Sequence, residues 1–448
     1  MTDREREEGP AAVSEGTKQA GEIRARWAWV EPSVWTERML TALEAGVKGG
    51  KWFSLMDKVE ALANLRSAFE RVKANGGAAG VDHQTVEMFE RHLEENLEKL
   101  SRSLRDGSYR PQAIRRVWIP KPGGTEKRPL GIPTVRDRVV QAALRHVLEP
   151  IFERDFAEQS YGFRPQRGSK DALRRVDQLL TAGHSWVVDA DLKSYFDTIP
   201  HRRLMEGVGE KVSDGRVLEL VEAYLTQKVM ETAKSWTPEG GTPQGAVISP
   251  LLSNLYLDPL DQQMAQGGSQ MVRYADDFVI LCRSQQEAVA ALERVRQWAE
   301  QAGLGLHPVK TRIVDATQGG GFDFLGYHFE RGMKWPRQKS LRKYKDTIRA
   351  KTRRTAGQSL KMILSEINRS LRGWFEYFKH SHPTTFRPLD AWVRMRLRSI
   401  LRKRRGGQGR GRGSDHQRWP NAFFVKQGLN SLSNLYAWEC YLRQSRTG

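Results

Sequence analysis

The chain has 448 residues, 39% of them hydrophobic and 28% charged, a length beyond what one hydrophobic core serves, so several packed units are expected. Lys and Arg number 73 against 53 Asp and Glu, a formal net charge of +20. That excess points to a polyanionic partner, and nucleic acid comes before membrane because no stretch approaches membrane-spanning length. The N-terminus, MTDREREEGP, lacks the apolar core of a signal peptide. The two cysteines, Cys282 and Cys440, exclude a disulfide framework and a cysteine-based zinc cluster, which suits a reducing cytoplasm.

In chain order, residues 1–50 mix charges and read as an N-terminal tail, at least the first 22 of them mobile. Apolar residues then take helical spacing over 58–73 and 86–104, with GGAAG at 76–80 between them. RRVWIPKPGG, from Arg115, and TEKRPLGIP predict two short strands around a Gly/Pro turn. Residues 137–153 form an apolar-periodic helix, and SYGFRPQRGS is a loop leading into another. SWVVDADLKSYF, a helical stretch to about 226, GTPQGAVISPLLSNLYL and RYADDFVILC make an α+β core. A helix over 284–303 returns to GLGLHPVKTRIV and FDFLGYHF. Residues 341–404 have the spacing of three basic helices before the arginine-rich GGQGRGRGS, and no internal repeat is visible.

Charge partitions along this map. Residues 331–412 hold 25 Lys and Arg against 4 acids (Asp346, Glu366, Glu376, Asp390), a net of +21, while the whole chain carries +20. A solvated helical face usually mixes signs, so a one-sided excess of this size predicts a surface that meets phosphates. Arg342, Lys343 and the run Arg402, Lys403, Arg404, Arg405 are its nucleic-acid-binding candidates.

RYADDFVILC raises the chemical question, because Asp276 and Asp277 interrupt an apolar, β-prone run and unpaired carboxylates beside a core are costly. A hairpin accommodates them, with residues 272–275 as one strand, 276–277 as the turn and 278–282 as the return. Alone, an Asp-Asp turn is usually just a solvated turn. WVVDADLKSYF raises its weight, since strand alternation brings Asp189 and Asp191 to one face. If that strand pairs beside the hairpin, three carboxylates converge and require a cation. Oxygen-only ligation is the habit of Mg2+, and two such ions clamp the attacking and leaving oxygens of an in-line phosphoryl displacement.

GGAAGVD, IPKPGGTEKRPLGIPTVRDRVVQ, SYGFRPQRGS, DADLKSYFD, GTPQGAVISPLLSNLYLD, RYADD, GLGLHPVKT, FDFLGYHF and LRGWFEYF follow one another between about Leu65 and the C-terminus. As an ordered set they resemble the bacterial group II intron-encoded reverse transcriptase/maturases. The resemblance implies a right-hand polymerase of α+β class, with fingers and a palm carrying an antiparallel sheet, then an all-α thumb/maturase region. The expected boundaries are 51–180 for the N-terminal extension and fingers, 181–330 for the palm, 331–405 for the thumb and 406–448 for a basic C-terminal region.

The same resemblance assigns residues. Asp191, Asp276 and Asp277 fall on the catalytic carboxylates that hold two Mg2+ ions, with the Leu192 carbonyl as an extra ligand. Asp189 lies outside that set, and Asp197 reads as architectural. Lys121 and Arg128 are implied to clamp the incoming triphosphate. Phe196 is implied to pack under the sugar and exclude a 2′-hydroxyl, Gln244 to lie beside the nucleotide and template base, and Lys310 with residues 324–329 to support the primer end. The implied partners are intron RNA, an RNA template with a DNA primer, deoxynucleoside triphosphates and target DNA, in a bacterial cytoplasm.

Many relatives end in an endonuclease domain with paired cysteines and histidines. Here RGRGSDHQRWPNAFF and a short tail follow the thumb, and Asp415 with His416 is too small a set for that nuclease, so the endonuclease-less type is expected. Two other readings remain at this stage. One is a splicing-only RNA-binding maturase with a decayed polymerase core, against which the intact carboxylates count. The other is a retron-like or defence-associated reverse transcriptase, against which LRGWFEYF and the basic C-terminal segment count.

Overall fold

The structure, a computed structural model, describes residues 15–47, 49–120, 127–231, 234–355 and 357–447. Its strands are β1 (Ile114–Pro120), β2 (Lys127–Ile132), β3 (Trp186–Asp191), β4 (Val229–Glu231), β5 (Lys234–Trp236), β6 (Gln270–Tyr274), β7 (Asp277–Cys282), β8 (Arg312–Asp315), β9 (Phe322–Phe324), β10 (Tyr327–Glu330) and β11 (Met333–Pro336). They form three sheets, ordered β2-β1-β4-β5, β6-β7-β3-β8 and β11-β10-β9.

The first sheet is the fingers hairpin extended by a second one. β1 and β2 run antiparallel from Arg115↔Ile132 to Pro120↔Lys127, and β4 joins β1 in parallel. Helix Val135–Glu153 follows β2 in the chain and is buried on nearly every side; its N-cap Thr134 accepts the Asp137 N–H. Lys121 lies outside the described residues.

The second sheet is the palm, antiparallel throughout. Alternation divides its side chains between two cores. Val188, Ala190, Phe278 and Ile280 face the main core shared with the fingers, whereas Val187, Val279 and Leu281 face a second one. That second core holds helix Ser169–Thr181 and the β9–β11 sheet. A sheet covered on both faces explains why FVILC is continuously apolar. Helix Gln285–Gln301 closes one side; Ser284 Oγ accepts the Glu287 N–H at 3.2 Å, and the Glu287 carboxylate accepts the Arg283 N–H at 2.9 Å.

Helices Gln338–Lys351, Leu360–Phe378 and Phe386–Arg404 are the three basic helices that the sequence predicts. Tyr344, Ile348, Ile363, Ile367, Leu371, Val393 and Leu397 make their shared core. The thumb is clamped to the palm where the Tyr377 hydroxyl donates to the Leu325 carbonyl and the Tyr327 hydroxyl to the Tyr377 carbonyl, at 2.7 and 2.6 Å.

Three expectations change. Residues 15–50 are not a tail throughout: helix Glu15–Arg26 leads into Trp27, Val34, Trp35, Leu40 and Leu43, all buried in the main core. Residues 1–14 lie outside the described ones. Residues 406–448 are not a separate unit, because Trp419, Phe424 and Leu432 enter the thumb core. The turn of the palm hairpin is shifted by one residue, with consequences for the site.

Candidate active site

β6 and β7 are joined by Ala275 and Asp276 alone, and Tyr274 pairs with Asp277 across the turn. Asp277 is therefore the first residue of β7, where the sequence had placed it in the turn. A two-residue turn needs a residue with positive φ to match strand twist, and Ala275 supplies it at φ +59. For a residue with a Cβ that conformation costs about 1–2 kcal/mol, so surrounding structure must hold it.

Three segments do so. Gly162 of the SYGFRP loop lies directly beneath the turn, where an added Cβ would stand 2.2 Å from the Ala275 nitrogen. Arg273, 1% exposed, donates from Nη1 to the Ala275 carbonyl and to Asn254 Oδ1, both at 2.9 Å. Its Nε donates to both oxygens of buried Asp261, at 2.9 and 3.0 Å. Asn254 in turn donates from Nδ2 to the Gly162 carbonyl at 2.8 Å. Sequence reading missed Arg273, Asn254, Asp261 and Gly162. The available signal was polar Asn254 and Asp261 at helical spacing within an apolar helix, Ser249–Gln266.

β3 delivers the other carboxylate. Its antiparallel register sets Asp191 directly opposite Asp277 and Asp189 opposite Val279. Burial, then the charges of Asp276 and Asp189, push Asp277 up to about 7, with Arg337 opposing. Burial also raises Asp276, with Asp191 adding to it. The Lys310 ammonium closes on Asp191, and Asp189 pairs with Arg312 at 3.3 Å. Lys310, which the resemblance gave to the primer end, thus meets one of the carboxylates directly.

Beyond Asp191 the chain pairs with the GLGLHP segment. The Lys193 N–H donates to Gly305 and the His307 N–H to Asp191, at 2.8 and 2.7 Å, which makes Leu192 and Leu306 a non-hydrogen-bonded pair. The Leu192 carbonyl therefore stays out of that ladder.

Among the described residues no three His, Cys, Asp or Glu side chains are gathered closely enough to cage an ion by themselves. Asp191, Asp276 and Asp277 are instead an open, all-oxygen set whose buried member is short of positive charge, a donor chemistry that fits Mg2+ completed by water and phosphate.

Phe196 and Gln244 meet in a cavity of about 780 Å³ between the fingers sheet and the palm, also lined by Arg116, Trp118, Asp197 and Trp236. The two motifs are bonded to each other where the Thr242 N–H donates to the Phe196 carbonyl at 2.7 Å, and the Gly131 N–H of β2 donates to the Gln244 carbonyl at 2.6 Å. Gly241, at φ +88, permits this approach, since a Cβ would stand 2.6 Å from the Phe196 carbonyl. Burial raises the Asp197 carboxyl, with Arg116 and the Gln244 side chain opposing. Pro129 and Gly131 line the cavity, so alternation turns exposed Arg128 to the opposite face of the hairpin. The carboxylates lie outside this cavity.

The basic candidates differ in engagement. Arg342 and Lys343 are exposed on the first thumb helix, and Lys403 is exposed on the third. Arg402 pairs with Asp415 and donates to the Gln408 carbonyl at 2.8 Å; Arg404 meets the Gln358 carbonyl, and Arg405 lies over the Trp419 ring.

Fingers, a palm presenting paired aspartates at a hairpin turn, and a helical thumb define a right-hand nucleic-acid polymerase. Comparison with known proteins narrows this. Residues 119–329 match the reverse transcriptase (RNA-dependent DNA polymerase) family, and residues 341–419 match the group II intron maturase-specific domain. Protein YkfC of Escherichia coli (strain K12) is 34% identical over 348 residues, 68% of this chain and 86% of YkfC. Group II intron-encoded protein LtrA of Lactococcus lactis subsp. cremoris is 38% identical over 201 residues, 44% of this chain but 33% of LtrA. A partial Cas6-RT-Cas1–Cas2 complex is similar at 24% identity, over 55% of this chain and 42% of that one, with a TM-score of 0.36. The chain belongs to the group II intron reverse transcriptase/maturase family.

Proposed function

We propose that this chain is an active RNA-directed DNA polymerase that also holds intron RNA to assist splicing and mobility. The observation that carries the reading is the facing pair Asp191 and Asp277 with Asp276 in the adjoining turn, an oxygen-only carboxylate set in which Asp276 and Asp277 are desolvated. A decayed core would have no reason to keep such a costly set.

Asp191, Asp276, Asp277 and the Leu192 carbonyl would hold two Mg2+ ions. Bound Mg2+ supplies activation of a primer 3′-hydroxyl and charge neutralisation on the leaving pyrophosphate. Phe196 excludes a 2′-hydroxyl and so selects deoxynucleoside triphosphates. Gln244 orients nucleotide and template base, while Lys121 steadies the triphosphate. Lys310, paired with Asp191, is at hand to neutralise charge where primer and phosphate enter. The +21 segment, residues 331–412, supports intron RNA and target DNA as the polyanions bound by the thumb.

Primer extension on an RNA template with deoxynucleoside triphosphates, with and without a chelator, tests this. Chelator-sensitive extension is expected. Tight intron-RNA binding without any extension would leave the splicing-only maturase instead.

A further inference from the structure

We propose that Arg273 and Asn254 are positioning residues that set where Asp276 and Asp277 stand against Asp191. The inference rests on the polymerase reading and concerns how this chain builds its metal-holding turn.

Three distant segments converge on one peptide. The loop before Gly162 pairs with β6 from outside the sheet: the Arg273 N–H donates to Gln159 and the Tyr161 N–H to the Arg273 carbonyl, at 2.9 and 2.8 Å. Helix Ser249–Gln266 sends Asn254 and Asp261 to the Arg273 guanidinium. The Nη1 donor left over from Asp261 is aimed at the carbonyl of Ala275, the left-handed residue immediately before the catalytic aspartates. Asn254 links that guanidinium to Gly162, on which the turn rests.

Stability alone does not account for this arrangement. A buried ion pair stabilises a core no better than well-packed apolar residues, and what it adds is direction. Here the direction ends on the turn carbonyl. Arg273 is buried behind the turn, so it acts through the backbone of Ala275.

The test uses the full-length chain on a primer–template, with Gly162→Ala, Asn254→Ala and Arg273→Lys. Mn2+ binding is read by electron paramagnetic resonance, alongside kcat, the KM for primer–template, intron-RNA affinity and thermal melting. The expected result is Mn2+ binding weakened about 10–100-fold with a parallel fall in kcat, as for lost outer-shell support. The KM for primer–template and the RNA affinity should stay at wild-type values, and high Mg2+ should restore part of kcat. Unchanged Mn2+ binding and kcat in variants that melt cooperatively would overturn the proposal. Loss of cooperative melting in all three would overturn it too, by making the network a plain stability element. A wild-type chain that binds Mn2+ yet extends no primer would refute the polymerase reading and leave the positioning comparison readable.

Discussion

Asp277 stands directly opposite Asp191 across the β3–β7 ladder, and the Lys310 ammonium reaches only the latter. Asp277 is therefore the carboxylate held at greatest electrostatic disadvantage: burial, Asp276 and Asp189 all favour its protonated form. The palm has placed charge where the fold alone would not choose it. On the proposed reading, cation binding by this site and fold stability are linked through that residue.

The linkage has a sign. The Asp277 carboxyl titrates at about 7 in the folded chain against 3.8 for an ordinary aspartate, so the folded state holds a proton that the unfolded state has released. Its contribution to stability is present at acidic pH, falls as pH rises through that window and becomes a penalty above it. Without divalent ions, Asp277→Asn should melt higher than wild type at about pH 8, and the gap should close toward about pH 5. Mg2+ should raise the wild-type melting temperature most at the alkaline end, because protons compete with the ion. Calorimetry of both chains across pH checks this; parallel curves would contradict it.

Sugar choice tests the cavity. The half-buried Phe196 ring meets Tyr195 edge-on, with centroids 5.4 Å apart, and its carbonyl is tied to Thr242. The backbone therefore stays in place when the ring is removed. Phe196→Ala should raise ribonucleotide relative to deoxynucleotide incorporation by about tenfold or more, the scale on which a pocket discriminates by size. Single-nucleotide extension with paired substrates reads the ratio, and an unmoved ratio would make Phe196 an ordinary packing residue.

The thumb cations divide by what they touch. Neutralising Arg342, Lys343 and Lys403, all exposed, should weaken intron-RNA binding across many sequences and flatten its salt dependence, by about 0.7 in log–log slope per lost single-strand phosphate contact. Arg402→Gln should act differently, because Arg402 anchors Asp415 at the start of helix Gly413–Arg418. Its main effect should be a lower melting temperature. A salt series of dissociation constants on the four single variants and the triple separates the two; a slope unchanged in the triple variant would remove these residues from the RNA surface.

How legible the molecule was in its sequence depended on range. Apolar spacing and Gly/Pro punctuation located the β1–β2 hairpin, the palm strands and the three thumb helices, because those signals are local. The hairpin turn moved by one residue since Ala275, an unusual left-handed residue, gave no sign of its role. The Arg273–Asp261–Asn254 network stayed hidden because its members come from two elements and only the fold joins them. Trp27, Trp35, Trp419 and Phe424 sit in segments whose charged residues suggested tails, yet each is buried by contacts far along the chain. The strand alternation and the palm hairpin that the sequence shows place Asp191 opposite Asp277, and Lys310 meets Asp191, a contact the sequence did not announce, whereas Arg128 faces away from the cavity that holds Phe196 and Gln244.

The central claim is that the carboxylates at the palm turn perform deoxynucleotide addition while a separate thumb surface holds RNA. The most direct measurement is the single-turnover extension rate on a saturating RNA template–DNA primer, with intron-RNA affinity measured in parallel, for wild type, Asp276→Asn and Asp189→Asn. Asp276→Asn should slow extension by about a hundredfold or more while RNA affinity stays near wild type. Asp189→Asn should cost far less, since that carboxylate is already paired with Arg312. Extension by Asp276→Asn at a rate comparable to wild type would contradict the account.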